Sequence, residues 1–238
     1  MNISKKLILV ASLTGSFILV SNPQETIILW DIHHVILKKT PTTILKRILL
    51  YPEKRHMLWN TEGGLVTDFY NLFWQKEKTS EAFIESAHNH GNHKLANMII
   101  DIANTQEPIQ GTVAIIKELK EKGYRNHIGS NIGPSVFTDL QKRKPHIFNN
   151  DLFELDKSQI ASYKNNGILA KPDVMFFKQY FKKNDIDPRT TRIIFIDDKY
   201  ENIHAAQSVG LIGVHFKNPK QLRHDLIRLG INLKQNNC

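Results

Sequence analysis

The sequence is short of cysteine: among 238 residues the only one is Cys238, the last. That excludes an intrachain disulfide, so the fold must rest on a packed core, for which the length is ample. An unbroken apolar run of membrane-spanning length, about 20 residues, is also missing. Leu7 to Val20, behind Lys5 and Lys6, comes nearest, but it is shorter and is broken by Ser12, Thr14, Gly15 and Ser16. This segment has the positive and apolar regions of a signal peptide without a good small-x-small cleavage site. Residues 1–25 are therefore expected to act as a signal peptide or N-terminal anchor, favouring an exported or membrane-associated location over a cytoplasmic one. The structural alternative is a β-hairpin turning at Thr14-Gly15. There is no internal repeat and no low-complexity segment.

Acidic residues are fewer than basic ones, 23 against 32, for a net charge of +9. Such a balance favours anionic partners, although Lys and Arg interspersed with Glu and Asp also make an ordinary solvated exterior. Lys142-Arg143-Lys144 is the densest basic cluster and is too short to be a nucleic-acid signature.

What the chain does have is two apolar runs that end in carboxylates. Ile27 to Trp30 stops at Asp31, and Ile193 to Ile196 stops at Asp197-Asp198. Apolar runs of this length read as strands buried in a parallel sheet, and in open α/β sheets ligands bind at the carboxyl edge. Two strands delivering carboxylates to one edge would build an anionic pocket that needs a cation.

Between these runs the character of the chain changes twice. After Val35-Ile36-Leu37, residues 42–106 read as short amphipathic helices over 43–51, 64–75, 80–88 and 94–104, a helical cap over the pocket. Within it, Trp59 and Trp74 read as core of the cap, and His88, His90 and His93 as solvated loop residues. From Pro108 strands and helices alternate again. Helix 112–122 stops at Gly123, strand 125–129 ends at Ser130-Asn131, and Pro134 opens a helix where its missing N–H costs nothing. A strand, a small polar loop and a helix N-terminus together can hold phosphate. A helix over 172–183 follows Lys171, a helix over 202–209 stops at Gly210, a buried strand covers 212–216, and a last helix covers 221–229.

In this order, Asp31 after a strand, Ser130-Asn131 after a strand, Lys171-Pro172-Asp173, and IIFIDD with Asn202 resemble the four motifs of the haloacid dehalogenase-like hydrolase superfamily. The match is to the phosphatase branch with a helical cap inserted after the first motif. The resemblance implies a doubly wound, Rossmann-like parallel sheet (α/β), with residues 26–41 and 107–238 as core and 42–106 as cap. It implies a Mg²⁺-dependent phosphatase acting on a phosphorylated small molecule or phosphoprotein through an aspartyl-phosphate. Asp31 would be nucleophile and metal ligand, the His33 carbonyl and Asp198 further ligands, and Asp197 the holder of a metal-bound water. Ser130 and Asn131 would bind the phosphoryl group, Lys171 would offset its charge, and Asn202 would support the loop. Such a division suits the chemistry, because phosphoryl transfer is mainly positioning and charge neutralisation.

The sequence departs from the family two residues after the nucleophile. Most such phosphatases have a second Asp there as acid and base, and this chain has His33, which can titrate near neutrality and do both tasks. His34 follows where glycine is common. The alternatives are a non-catalytic phospho-ligand-binding protein of the same fold and a haloacid dehalogenase; the paired acids Asp197-Asp198 argue against the latter.

Overall fold

The computed structural model describes residues 26–39, 80–89, 91, 93–164 and 167–235. Residues 1–25 lie outside them, with the signal or hairpin segment, as do the helices expected over 43–51 and 64–75 and the residues Trp59, Trp74 and His90. No helix among the described residues is long and apolar enough to cross a membrane.

The chain runs through β1 (Thr26–Trp30), β2 (Leu37–Lys38), α1 (Ser80–Asn89), α2 (His93–Ala103), β3 (Glu107–Pro108), α3 (Gln110–Glu121) and β4 (Arg125–Ser130). It continues through α4 (Pro134–Arg143), β5 (Gln159–Ile160), the hairpin β6 (Ser162–Lys164) and β7 (Gly167–Leu169), and α5 (Val174–Asn184). β8 (Arg192–Asp197), α6 (Tyr200–Gln207), β9 (Ile212–His215) and α7 (Pro219–Arg228) complete it. The main sheet has five parallel strands in the order β5-β4-β1-β8-β9. β1 is central, and the chain builds outward on its β4 side before crossing to its β8 side, which puts a topological switch point at the ends of β1 and β8.

Both faces of that sheet are buried, which is why the runs read as continuously apolar. Side chains still alternate. Ile28 and Trp30 of β1, with Ile194 and Ile196 of β8, pack on one face with Val113, Ile116 and Leu119 of α3 and Leu222 and Leu226 of α7. Ile27 and Leu29, with Ile193 and Phe195, pack on the other with Phe176, Phe177 and Tyr180 of α5 and Ile203 of α6. Register follows, with Ile27 opposite Ile193 and Trp30 opposite Ile196. The indole N–H of buried Trp30 donates to Asn126 Oδ1 at 3.0 Å, so burial leaves no polar atom orphaned there.

β2 and β3 pair antiparallel, so the chain leaves and re-enters the core at one neck. Beyond it, α1 and α2 dock on α4. Ile84, Ala96 and Ile99 join the same apolar cluster as Val136, Phe137 and Leu140. Glu81 accepts from the backbone N–H of Ser135 at 3.0 Å, at the first turn of α4, and from the Ser135 hydroxyl. Arg143 bridges Asp101 and Asp139. A Cβ on Gly133 would lie 2.6 Å from the Glu81 Cβ, so this close approach favours glycine.

Two expected elements differ. The helix expected from residue 172 begins at Val174, because Asp173 caps it, its carboxylate accepting from the Met175 N–H at 2.8 Å. The strand over 212–216 is only half-buried, because β9 is a sheet edge. Strand β5 and the β6–β7 hairpin were not expected; runs of two or three residues carry no period to read.

Candidate active site

At the carboxyl ends of β1 and β8, Asp31, Asp197 and Asp198 each offer a carboxylate oxygen within 4.8 Å of the others. The backbone assembles them: the Asp31 N–H donates to Ile196 O at 3.0 Å, which locks the end of β1 against the end of β8. Lys171, wholly inside the protein, joins the cluster from the loop before α5. Its Nζ donates to Asp31 Oδ1 at 3.0 Å, Asp197 Oδ2 at 2.6 Å and Gly129 O at 2.7 Å. All three ammonium protons are thereby used. Burial alone would lower the Lys171 pKa, but Asp197 and Asp31 hold it above its ordinary value.

Asp197 forms the floor. Its Oδ1 accepts from the Lys199 N–H and Asn202 Nδ2, both at 2.9 Å, and its Oδ2 accepts from Lys171 and, at 3.0 Å, from Asn202. Asn202 thus supports this loop, as the sequence resemblance implies. Both Asp197 oxygens thus meet protein donors, and Asp197 is at the same time one of the three acids whose oxygens converge. Burial raises its pKa, against the pull of Lys171.

Asp198 differs. It is half-buried, and its carboxylate has no donor among the described residues, while its backbone carbonyl accepts from His215 Nε2 at 2.9 Å. Burial, then repulsion from Asp31 and Asp197, raises its pKa. With three carboxylates against one ammonium, the donor set fits a hard divalent cation held by oxygen atoms.

Ser130, at the end of β4, is fully buried and its hydroxyl has no partner among the described residues. A buried unsatisfied hydroxyl is costly unless a ligand completes it, which suits the expected phosphoryl contact. The Asn131 side chain accepts from the Lys171 N–H and donates to the Lys171 carbonyl, both at 2.7 Å. It clamps the lysine's backbone with its oxygen and one of its two amide protons.

The His33 Nδ1 lies 2.8 Å from Gln106 Oε1. Burial, then the charge of Lys39, lowers its pKa to about 3 against the raising effect of the Gln106 bond. That direction works against the imidazolium an acid needs and favours the neutral ring with its lone pair. His34 is exposed with φ 60°, the left-handed conformation that explains why glycine suits this position. His88 and His93 are exposed on α1 and α2, not in a loop, with Nδ1 atoms 2.8 Å apart.

Sequence reasoning missed Gln106 and His215. Both act through a single hydrogen bond to a motif residue, and neither falls in a pattern that sequence periodicity could expose.

No family model matches the chain. Over 102 residues, 43% of its length, the chain is 35% identical to sesquiterpene phosphatase astK of Aspergillus oryzae, and it spans about half of that relative, 47%. Among solved structures, a HAD family enzyme from Bacteroides thetaiotaomicron superposes with a TM-score of 0.58 at 20% identity, covering 84% of this chain and 98% of that one. The same enzyme complexed with magnesium and inorganic phosphate superposes at 0.52 and 20% identity, covering 81% and 94%. An L-2-haloacid dehalogenase from Xanthobacter autotrophicus with chloropropionic acid covalently bound gives 0.51 at 14% identity, covering 87% and 84%. The fold is that of the haloacid dehalogenase-like hydrolases.

Proposed function

We propose that this haloacid dehalogenase-like chain is a magnesium-dependent phosphomonoesterase that works through an aspartyl-phosphate on Asp31. One observation carries the reading. At a single sheet edge Asp31 is held by Lys171, while the Asp198 carboxylate and the buried Ser130 hydroxyl have no hydrogen-bond partner among the described residues. Those are the groups that a cation and a phosphoryl group would complete.

Two displacements follow. In the first, an Asp31 oxygen bonds to phosphorus as the ester P–O bond breaks, and the proton of a monoanionic ester leaves with the alcohol. Lys171 fixes the attacking carboxylate and balances the added negative charge, and the Ser130 hydroxyl donates to a phosphoryl oxygen. In the second, water bonds to phosphorus as the bond to Asp31 breaks. His33 Nε2 takes the water's proton and later returns it to solvent. Bound Mg²⁺ would supply charge neutralisation at the phosphoryl oxygens, held by Asp31, Asp198 and the His33 carbonyl. Within the same fold, dehalogenation is disfavoured because paired acids and an unsatisfied hydroxyl suit phosphate better than halide.

The substrate we infer is a phosphorylated small molecule with an apolar body. The partial likeness to a sesquiterpene phosphatase supports it. So do Met175 and Tyr200, the large apolar side chains most exposed among the described residues, which follow Lys171 and Asp198 closely in the chain. The test is phosphate release from an aryl phosphate and from a farnesyl-type monophosphate, with and without Mg²⁺. Expected are Mg²⁺-dependent turnover, a higher kcat/KM for the apolar ester, and loss of turnover in Asp31→Asn. If Asp31→Asn stays within about tenfold of wild type, a barrier change of only ~1.4 kcal/mol, Asp31 is not the nucleophile.

A further inference from the structure

Gln106 lies outside the four motifs, in the segment that returns from α2 to the neck, and is wholly buried. Its amide bridges two groups. Nε2 donates to Ala103 O at 2.8 Å, satisfying a carbonyl at the end of α2, and Oε1 lies 2.8 Å from His33 Nδ1. A carbonyl can only accept, so the end facing Ala103 must be the NH₂ end. The end facing His33 must then be oxygen, and His33 Nδ1 must carry the proton. Turning the amide over would set Oε1 against the Ala103 carbonyl.

We propose that Gln106 is the positioning residue for His33, imposing the Nδ1–H tautomer and leaving Nε2 as the ring's lone pair. A free neutral imidazole prefers the opposite tautomer, so the hydrogen bond does chemical selection as well as orientation. Nε2 has no hydrogen bond of its own among the described residues. Because the same amide closes α2, the tautomer is tied to how α2 ends at the neck. This role rests on the reading of His33 as the proton acceptor of the second displacement.

The deciding measurement is the ¹⁵N spectrum of the imidazoles in the resting, full-length protein, with the His33 signals assigned by His33→Asn. Wild type should show Nδ1 protonated and Nε2 bare; Gln106→Met should shift His33 toward the Nε2–H form. Gln106→Glu keeps an acceptor for Nδ1 while losing the donor to Ala103, so it should retain the wild-type tautomer. Phosphate release should fall about 10- to 100-fold in Gln106→Met, mostly in kcat, and recover in Gln106→Glu. Adding Gln106→Met to His33→Asn should cost nothing further. A wild-type Nε2–H tautomer, an unchanged tautomer in Gln106→Met, or additive losses in the double variant would overturn the proposal. The tautomer is read without turnover, so a protein that releases no phosphate would sink the phosphatase reading while leaving this one to its own test.

Discussion

The floor and the mouth of the site are built on opposite principles, although the same strands supply both. At the floor, Lys171, Asp197 and Asn202 satisfy one another completely: three lysine protons and both Asp197 oxygens all have protein partners. At the mouth, one peptide bond beyond β8, the Asp198 carboxylate has no donor among the described residues, and the Ser130 hydroxyl at the end of β4 has no partner among them. The difference separates residues that hold the site's geometry from residues reserved for something that binds. A closed buried network is rigid and expensive to break; an open one costs stability until a ligand completes it.

The sharpest way to break that contrast is to remove one charge from each side. Lys171→Met would leave Asp31 and Asp197 facing each other without a cation, and breaking a buried pair in this way costs roughly 3–5 kcal/mol. Denaturant unfolding should show that loss. Asp198→Asn should leave the midpoint near wild type, since it removes no protein hydrogen bond, while weakening Mg²⁺ activation strongly. Asp197→Asn falls between, losing stability through Lys171 and changing Mg²⁺ dependence less than Asp198→Asn. Equal stability losses for Lys171→Met and Asp198→Asn would erase the distinction between floor and mouth.

The contrast continues along β4, where His127 lies three residues before Ser130 and is closed on both ring nitrogens. Nδ1 lies 2.7 Å from the Tyr180 hydroxyl and Nε2 3.3 Å from Glu154. Burial lowers its pKa to about 4 in spite of Glu154. The folded value lies below the unfolded value near 6.5, so the unfolded chain binds the proton first. The stabilising effect is therefore present above about 6.5 and is lost as pH falls toward 4. For a shift of this size the loss is up to about 3 kcal/mol. His127→Gln removes this titration, so the stability difference between wild type and His127→Gln should shrink by that order between pH 7 and pH 4. A constant difference across the range would mean that the ring titrates alike in the folded and unfolded chains.

How much of this was legible beforehand follows the same line. Asp31, Ser130, Lys171 and the Asp197-Asp198 pair could be read because each ends or follows an apolar run, and strand ends are visible in the pattern of burial. The sheet and its flanking helices were legible for the same reason. Hidden were the partners that reach across sequence: Asn131 clamping Lys171 from 40 positions away, and Gln106 holding His33 from 73. A hydrogen bond made by a polar side chain leaves no periodicity, so neither contact could be read from the pattern. The edge strands β5 and β9 were misjudged or missed because edges are short and only half-buried.

The smallest effect concerns His34, at the lip of the mouth. Its φ of 60° places a side chain in the left-handed region, where an L-residue other than glycine costs roughly 1–2 kcal/mol. The turn needs that conformation, because the His34 N–H donates to Leu37 O at 2.6 Å and closes the loop carrying Asp31 and His33. His34→Gly removes the steric cost but gives the unfolded chain more freedom, which takes back about 0.4–1 kcal/mol. The net expectation is a gain of about 0.5–1 kcal/mol, seen as a rise in Tm of about 1–4 °C for a chain of this length. Phosphate release should stay within a few-fold of wild type, since the exposed ring has no hydrogen bond to the carboxylates or to Ser130 among the described residues. A tenfold loss of phosphate release with an unchanged Tm would move His34 from the lip into the working part of the mouth, and the line between supporting and reacting groups would have to be redrawn there.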